Sequence, residues 1–85
     1  MNEWFRLELF LVNKHLNNEV LLSKRLTLKQ NIDIYLELTN NEPSDYLLVR
    51  FKDNQILNSQ ETLANLKLNE GERIDIYPYH SNYKN

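Results

Sequence analysis

Thr27-Leu28-Lys29-Gln30-Asn31-Ile32-Asp33-Ile34-Tyr35-Leu36-Glu37-Leu38-Thr39 is the stretch that decides the fold, because it can be read with two periods. From Ile32 to Leu38 apolar and polar side chains alternate for the most part, the period-two pattern of a half-buried strand. At helical spacing the same stretch gathers Leu28, Ile32, Tyr35, Leu36 and Leu38 on one broad apolar face. Its first residues break the tie. Thr27 and Gln30 occupy the two ends of a capping box, in which each side chain satisfies a free amide at a helix start. The run to Thr39 also has the length of a helix rather than a strand. A helix from Leu28 to Leu38 is therefore expected.

The neighbours of that helix read as strands. Upstream, Phe5-Arg6-Leu7-Glu8-Leu9 alternates with period two. Asn13 to Asn18 reads as a connection, and Val20 and Leu22 resume the alternation, so an N-terminal hairpin is expected. Downstream, Asn40-Asn41-Glu42-Pro43-Ser44 cannot continue a helix, since the residue before proline is pushed out of the α region. Leu47-Leu48-Val49-Arg50-Phe51 is a strand, Lys52 to Gln55 a tight turn, and Ile56-Leu57 a short return. Ser59 to Leu68 reads as a loop with one helical turn that packs Leu63, Leu66 and Leu68. Gly71 is placed for positive φ, and Arg73 to Tyr77 forms a last strand that Pro78 ends. Asparagine supplies most of the punctuation, at Asn13, Asn17-Asn18, Asn40-Asn41, Asn54 and Asn69, because it tolerates the left-handed region. The result is an α+β chain with a mixed sheet of four to five strands over one α-helix. It is expected to form one domain over residues 1–78, with residues 79–85 a polar, frayed tail.

Composition narrows the function. The chain has 85 residues, 10 basic and 12 acidic, for a formal charge of −2. Nucleic-acid binding is not expected, because it draws on a basic surplus that neutralises phosphates. Glu3, Arg6 and Glu8 interrupt the N-terminal apolar residues, so no signal-peptide core forms, and no run approaches the length of a membrane span. There is no cysteine, which removes thiol chemistry and disulfides and fits a reducing compartment. A cytoplasmic protein without membrane insertion is the expectation. His15 and His80 are the only histidines and have no partner at metal-ligand spacing, and a single glycine excludes a phosphate-binding loop. No catalytic residue, cofactor or metal is expected.

Several strings resemble ubiquitin. Val49-Arg50-Phe51-Lys52-Asp53-Asn54-Gln55-Ile56 stands where ubiquitin has its central strand and turn. Glu61-Thr62-Leu63 and Leu68-Asn69-Glu70-Gly71-Glu72-Arg73-Ile74-Asp75-Ile76 resemble its ending, so the likeness spans residues 4–77. Within ubiquitin-like β-grasp proteins the chain is most similar to the YukD-like family, on Leu28-Lys29-Gln30-Asn31-Ile32-Asp33-Ile34 and Glu70-Gly71-Glu72-Arg73-Ile74-Asp75-Ile76. That resemblance implies a non-catalytic cytosolic accessory factor of a bacterial type VII secretion system, with a secretion-system membrane component as protein partner. The alternative is a ubiquitin-like adaptor or regulatory subunit in an unrelated bacterial process. Conjugated modifiers of this fold finish in Gly-Gly. This sequence contains no Gly-Gly and finishes Tyr77-Pro78-Tyr79-His80-Ser81-Asn82-Tyr83-Lys84-Asn85, so a non-conjugated protein is expected.

The resemblance also suggests a binding surface. It sets Arg50 at the centre of the exposed sheet face, with Asp75 and Tyr77 on the next strand, making a polar, salt-bridged surface. Arg and Tyr are residue types enriched at binding hot spots. Equally, the three form a solvated cross-strand group worth little. Phe5 and Phe51 fall in the pattern as core residues. Trp4 and Phe10 lie on the opposite face of the first strand by alternation. Two placements are open for them: an exposed apolar patch serving a partner or a weak homo-oligomer, or a surface covered by Tyr79 and Tyr83 of the tail.

Overall fold

The capping box forms as read. Thr27 Oγ1 accepts from the Gln30 N–H at 3.0 Å, Gln30 Oε1 accepts from the Thr27 N–H at 2.9 Å, and helix α1 runs Leu28–Leu38. The computed structural model describes residues 3–41 and 45–79; residues 42–44 of the turn expected at 40–44, and residues 80–85 of the tail expected at 79–85, His80 among them, lie outside them. Around α1 stand β1 (Trp4–Leu11), β2 (Leu16–Ser23), β3 (Asp45–Arg50), β4 (Gln55–Ile56) and β5 (Arg73–Tyr79). They form one sheet in the order β2-β1-β5-β3-β4, in which β1 and β5 are parallel and the other pairs antiparallel.

Alternation along the strands builds the core. Leu7, Leu9 and Leu11 of β1, Leu48 of β3 and Ile74 and Ile76 of β5 are buried against Leu28, Ile32, Tyr35 and Leu36 of α1. Leu63, in a single 3₁₀ turn (Leu63–Leu66), and Leu68 are buried in the same cluster, and Phe5 and Leu66 pack on its border. The left-handed positions anticipated at Asn40, Asn54 and Gly71 have φ of +61°, +58° and +82°.

Four details differ from the sequence reading. The first hairpin's turn is shorter than expected: Val12–Lys14 makes a 3₁₀ turn, His15 takes the left-handed position, and Asn17 and Asn18 belong to β2. Asn18 can sit in the strand because its Oδ1 accepts the buried-side Tyr35 hydroxyl at 2.7 Å. Pro78 does not end β5, which continues to Tyr79 paired with Asp45. Beyond Ile76 the strand has no β1 neighbour, so a residue without an N–H is tolerated there. Phe51 is not in the core; it is 52% exposed, because β3 ends at Arg50 and Phe51 opens the turn that follows. Leu38 is 77% exposed, since it stands with Ile34 in an i,i+4 row on the flank of α1, beyond Asn31.

Asn31 is the polar residue that ties α1 to β2. Buried at 4% exposure, it accepts from the Ser23 N–H at 2.9 Å and donates to the Ser23 carbonyl at 3.0 Å and the Thr27 carbonyl at 3.1 Å. Its amide thus replaces a strand partner for Ser23.

Tyr46 ties α1 to β3. Its hydroxyl donates to Asp33 Oδ1, and burial, with that carboxylate second, pushes the phenol well above its ordinary value of 10.0. The unfolded phenol ionises near pH 10 while the folded one keeps its proton. The unfolded state therefore binds fewer protons above that pH, and stability falls as pH rises. Tyr46→Phe should make the loss of stability between about pH 10 and 11.5 shallower than in the wild type. Urea titrations across that range check it, and an unchanged slope refutes it.

Candidate protein-docking face

The sheet has one face packed on α1 and one turned away, and strand parity decides which residues meet on the outer one. Leu48 and Ile76 pair in the core, so their neighbours Leu47 and Tyr77 pair on the outer face. Val49 pairs there with Asp75 on one side and Ile56 on the other. Leu47, Ile56 and Tyr77 are all exposed large hydrophobics, and Phe51 and Tyr79 join them at the two ends. The outer face of β3-β4-β5 is therefore an apolar surface, where a polar one was expected.

Its charged component is Arg73 rather than Arg50. The Arg73 guanidinium lies 3.9 Å from the Phe51 ring centroid and 4.5 Å from that of Phe10, held between the two rings. Its Nε donates to Asp75 Oδ1 at 2.7 Å. Asp75 is thus on the outer face as expected, but its carboxylate is buried beneath this stack, with a side chain only 8% exposed. Tyr77 is on the face and exposed, as expected.

Arg50 is not at the centre of this face. It pairs with Ile74 and shares the parity of Leu48, so it starts from the helix side of the sheet. Its side chain is 16% exposed and its Nε donates to Glu72 Oε1 at 3.1 Å, with Asp53 3.5 Å from its other end. Val49 takes the central outer position instead. The misplacement has a simple origin. Leu47, Leu48 and Val49 are all apolar, so the strand carries no alternation that tells one face from the other.

Trp4 and Phe10 share the outer parity of β1 but do not form one patch. Six residue steps along the strand separate them by roughly 20 Å. Phe10 is partly covered by Arg73 and meets His15 edge-on at 6.1 Å between centroids. Trp4 is exposed beside Ser23, at the far corner of the sheet. Of the aromatic and basic residues at the docking face, Phe51 and Arg73 escaped the sequence reading. The available signal was the pair Phe51 and Arg73 flanking the turn and strand that the ubiquitin resemblance places side by side.

No group of three or more His, Asp or Glu able to hold a metal occurs among the described residues. No helix among them is long and apolar enough to cross a membrane.

No family model matches the chain, and no curated protein does. Solved structures do. The solution structure of the N-terminal ubiquitin-like domain in the 4931431F19Rik protein superposes over 100% of this chain and 85% of its own, with a TM-score of 0.71 and 13% identity. A chain of the MycP5-free ESX-5 inner membrane complex, State II, matches over 99% of this chain with a TM-score of 0.62 and 11% identity. This chain spans only 23% of that longer one. At such identities the likeness speaks for architecture, and with the five-stranded mixed sheet on one helix it establishes that the chain has the ubiquitin-like β-grasp fold.

Proposed function

We propose that this chain is a non-catalytic protein-binding module that docks its partner on the outer face of β3-β4-β5 and serves a bacterial type VII secretion system in the cytoplasm. The observation that carries the binding reading is the exposed cluster of Leu47, Ile56 and Tyr77, with the Phe10-Arg73-Phe51 stack at one end of it. An apolar surface flanked by a stacked aromatic and arginine group has the composition of a binding hot spot. The stack holds Arg73 in place before a partner arrives, which lowers the ordering cost of association. Two likenesses support the secretion reading: the YukD-like strings at residues 28–34 and 70–76, and the matching fold of a chain in an inner membrane complex. The partner is then a membrane component of the machine, met by protein contact. Arg50 acts behind the face, by holding Glu72 at the start of β5, while Asp75 orients Arg73 and Tyr77 touches the partner.

The test is affinity capture from native cells with the wild type and with Leu47→Asp combined with Tyr77→Ala. Both positions are exposed, so the variant should fold. Recovery of secretion-system membrane proteins, reduced about tenfold or more by the variant, is the expected result. Recovery unaffected by the variant overturns the face, and recovery only of unrelated proteins overturns the secretion assignment.

A further inference from the structure

Arg73 ends the docking face in an arrangement that leaves part of its guanidinium unused. The Phe51 and Phe10 ring centroids stand 3.9 and 4.5 Å from its central carbon, and Nε donates to Asp75 Oδ1 at 2.7 Å. Nη1 and Nη2 donate to nothing among the described residues, and the side chain is 28% exposed. N–H groups without a protein acceptor face water, so the edge that carries Nη1 and Nη2 is the part of the stack open to a ligand. A surface arginine ordinarily loses rotamer freedom when it binds. Here the two rings and the Asp75 carboxylate, only 8% exposed, have already fixed it.

The surrounding charges narrow what this fork can take. Lys52, which follows Phe51, is exposed and forms no ion pair among the described residues, while Asp53 is turned to Arg50 at 3.5 Å. Glu8, opposite Arg73 on β1, makes no ion pair with it and accepts instead from the Asn17 amide at 2.5 Å. Asp75 beneath and Glu8 to one side make a doubly charged phosphate a poorer guest than an anion of single charge. A carboxylate carries that charge, and its plane matches the parallel N–H groups of the fork.

We propose that the Nη edge of Arg73 binds a side-chain carboxylate of the docked partner, an aspartate or glutamate carried beside apolar residues. This rests on the docking face proposed above and names the chemistry of the segment that the face takes. Strand geometry sets the spacing. On β5, Asp75, which pairs with Val49, lies two residue steps from Arg73, roughly 7 Å, and Tyr77 lies four steps away, roughly 13 Å. The partner's acidic residue therefore stands roughly 7–13 Å from the apolar side chains that meet Val49 and Tyr77, about one to two turns of a helix or two to four residues of a strand. Apolar contact supplies the area, and the carboxylate fixes the register. Arg50, tied to Glu72 on the helix side of the sheet, offers no competing fork.

The experiment selects binders of the whole chain from a displayed library of random peptides about twelve residues long. Peptides enriched on the wild type and lost on Leu47→Asp combined with Tyr77→Ala bind the face. The expected result is that these peptides share an aspartate or glutamate at the stated spacing from aliphatic or aromatic residues. Exchanging that residue for asparagine or glutamine in the synthetic peptide should weaken binding to the wild type about tenfold or more. On Arg73→Lys, which keeps the charge and loses the fork, the same exchange should cost about threefold or less. Face-dependent peptides without a shared acid, amide counterparts that bind the wild type equally well, or a tenfold effect that persists in Arg73→Lys overturn the carboxylate site and leave the face standing. Absence of any face-dependent peptide overturns both. If circular dichroism shows Arg73→Lys unfolded, the exchange of acid for amide on the wild type decides alone.

Discussion

Leu9→Ala should lower the midpoint of thermal unfolding by roughly 12–24 °C, corresponding to a loss of about 3 kcal/mol in a domain of this size. Leu9 is fully buried in β1, between Asn18 of β2 and Ile74 of β5. Removing its three terminal carbons forfeits the transfer energy of those atoms and leaves a cavity. The two neighbouring strands limit collapse into that cavity, because both are hydrogen-bonded to the strand that carries the residue. A chain of 85 residues has a net stability of roughly 4–13 kcal/mol, so the loss is a large share of the total. Leu21→Ala, on the same pair of strands but 65% exposed, should change stability by no more than about 0.5 kcal/mol. Thermal melts followed by circular dichroism, at low protein concentration, compare the two. Equal effects would contradict the placement of the core.

Glu72→Ala should cost about 2–4 kcal/mol, measured by urea unfolding, whereas Arg50→Met together with Glu72→Leu should cost under about 1.5 kcal/mol. Arg50 and Glu72 have side chains 16% and 8% exposed, with Nε and Oε1 at 3.1 Å. Deleting the carboxylate leaves the guanidinium in a largely dry site with only the half-exposed Asp53 at 3.5 Å as partner. Replacing both members removes the uncompensated charge along with the bond, which is why the double substitution is the milder one. A pair at the centre of a solvated outer face would instead give a coupling of about 1 kcal/mol or less and a negligible effect of either single change. The comparison of the two variants therefore separates the observed position of Arg50 from the one that the ubiquitin resemblance implies. It also bears on function, since Arg50→Glu would damage the fold and cannot serve as a clean probe of partner binding.

The arrangement at the docking face shows where a single sequence stops being informative. β1 alternates cleanly, so Leu7 and Leu9 fall in the core and Arg6 and Glu8 outside, as read. β3 has three apolar residues in a row, and burial of Leu48 rather than Val49 followed from its pairing with Ile76. One step of parity moved Arg50 off the face and put Val49 on it. Phe51 went from expected core to exposed ring because the strand ends one residue before it. The stack of Arg73 against Phe51 and Phe10 joins residues from three separate segments, a conjunction that no spacing in the chain announces.

The helix, its capping box, the left-handed turns and the order of strands were set by local chemistry. Thr27 and Gln30 are three residues apart, Asn40, Asn54 and Gly71 answer to their own φ, and alternation needs no partner to be seen. These features follow from interactions within a few residues, and the sequence alone determined them. What joined β1 to β5 in parallel, buried Asp75 under Arg73, turned Asn31 into a strand partner for Ser23 and put β2 at the edge of the sheet was decided by tertiary structure. Those outcomes depend on which residues distant in sequence share a layer, and side-chain exposure at each of them is a property of the assembled sheet rather than of any one strand.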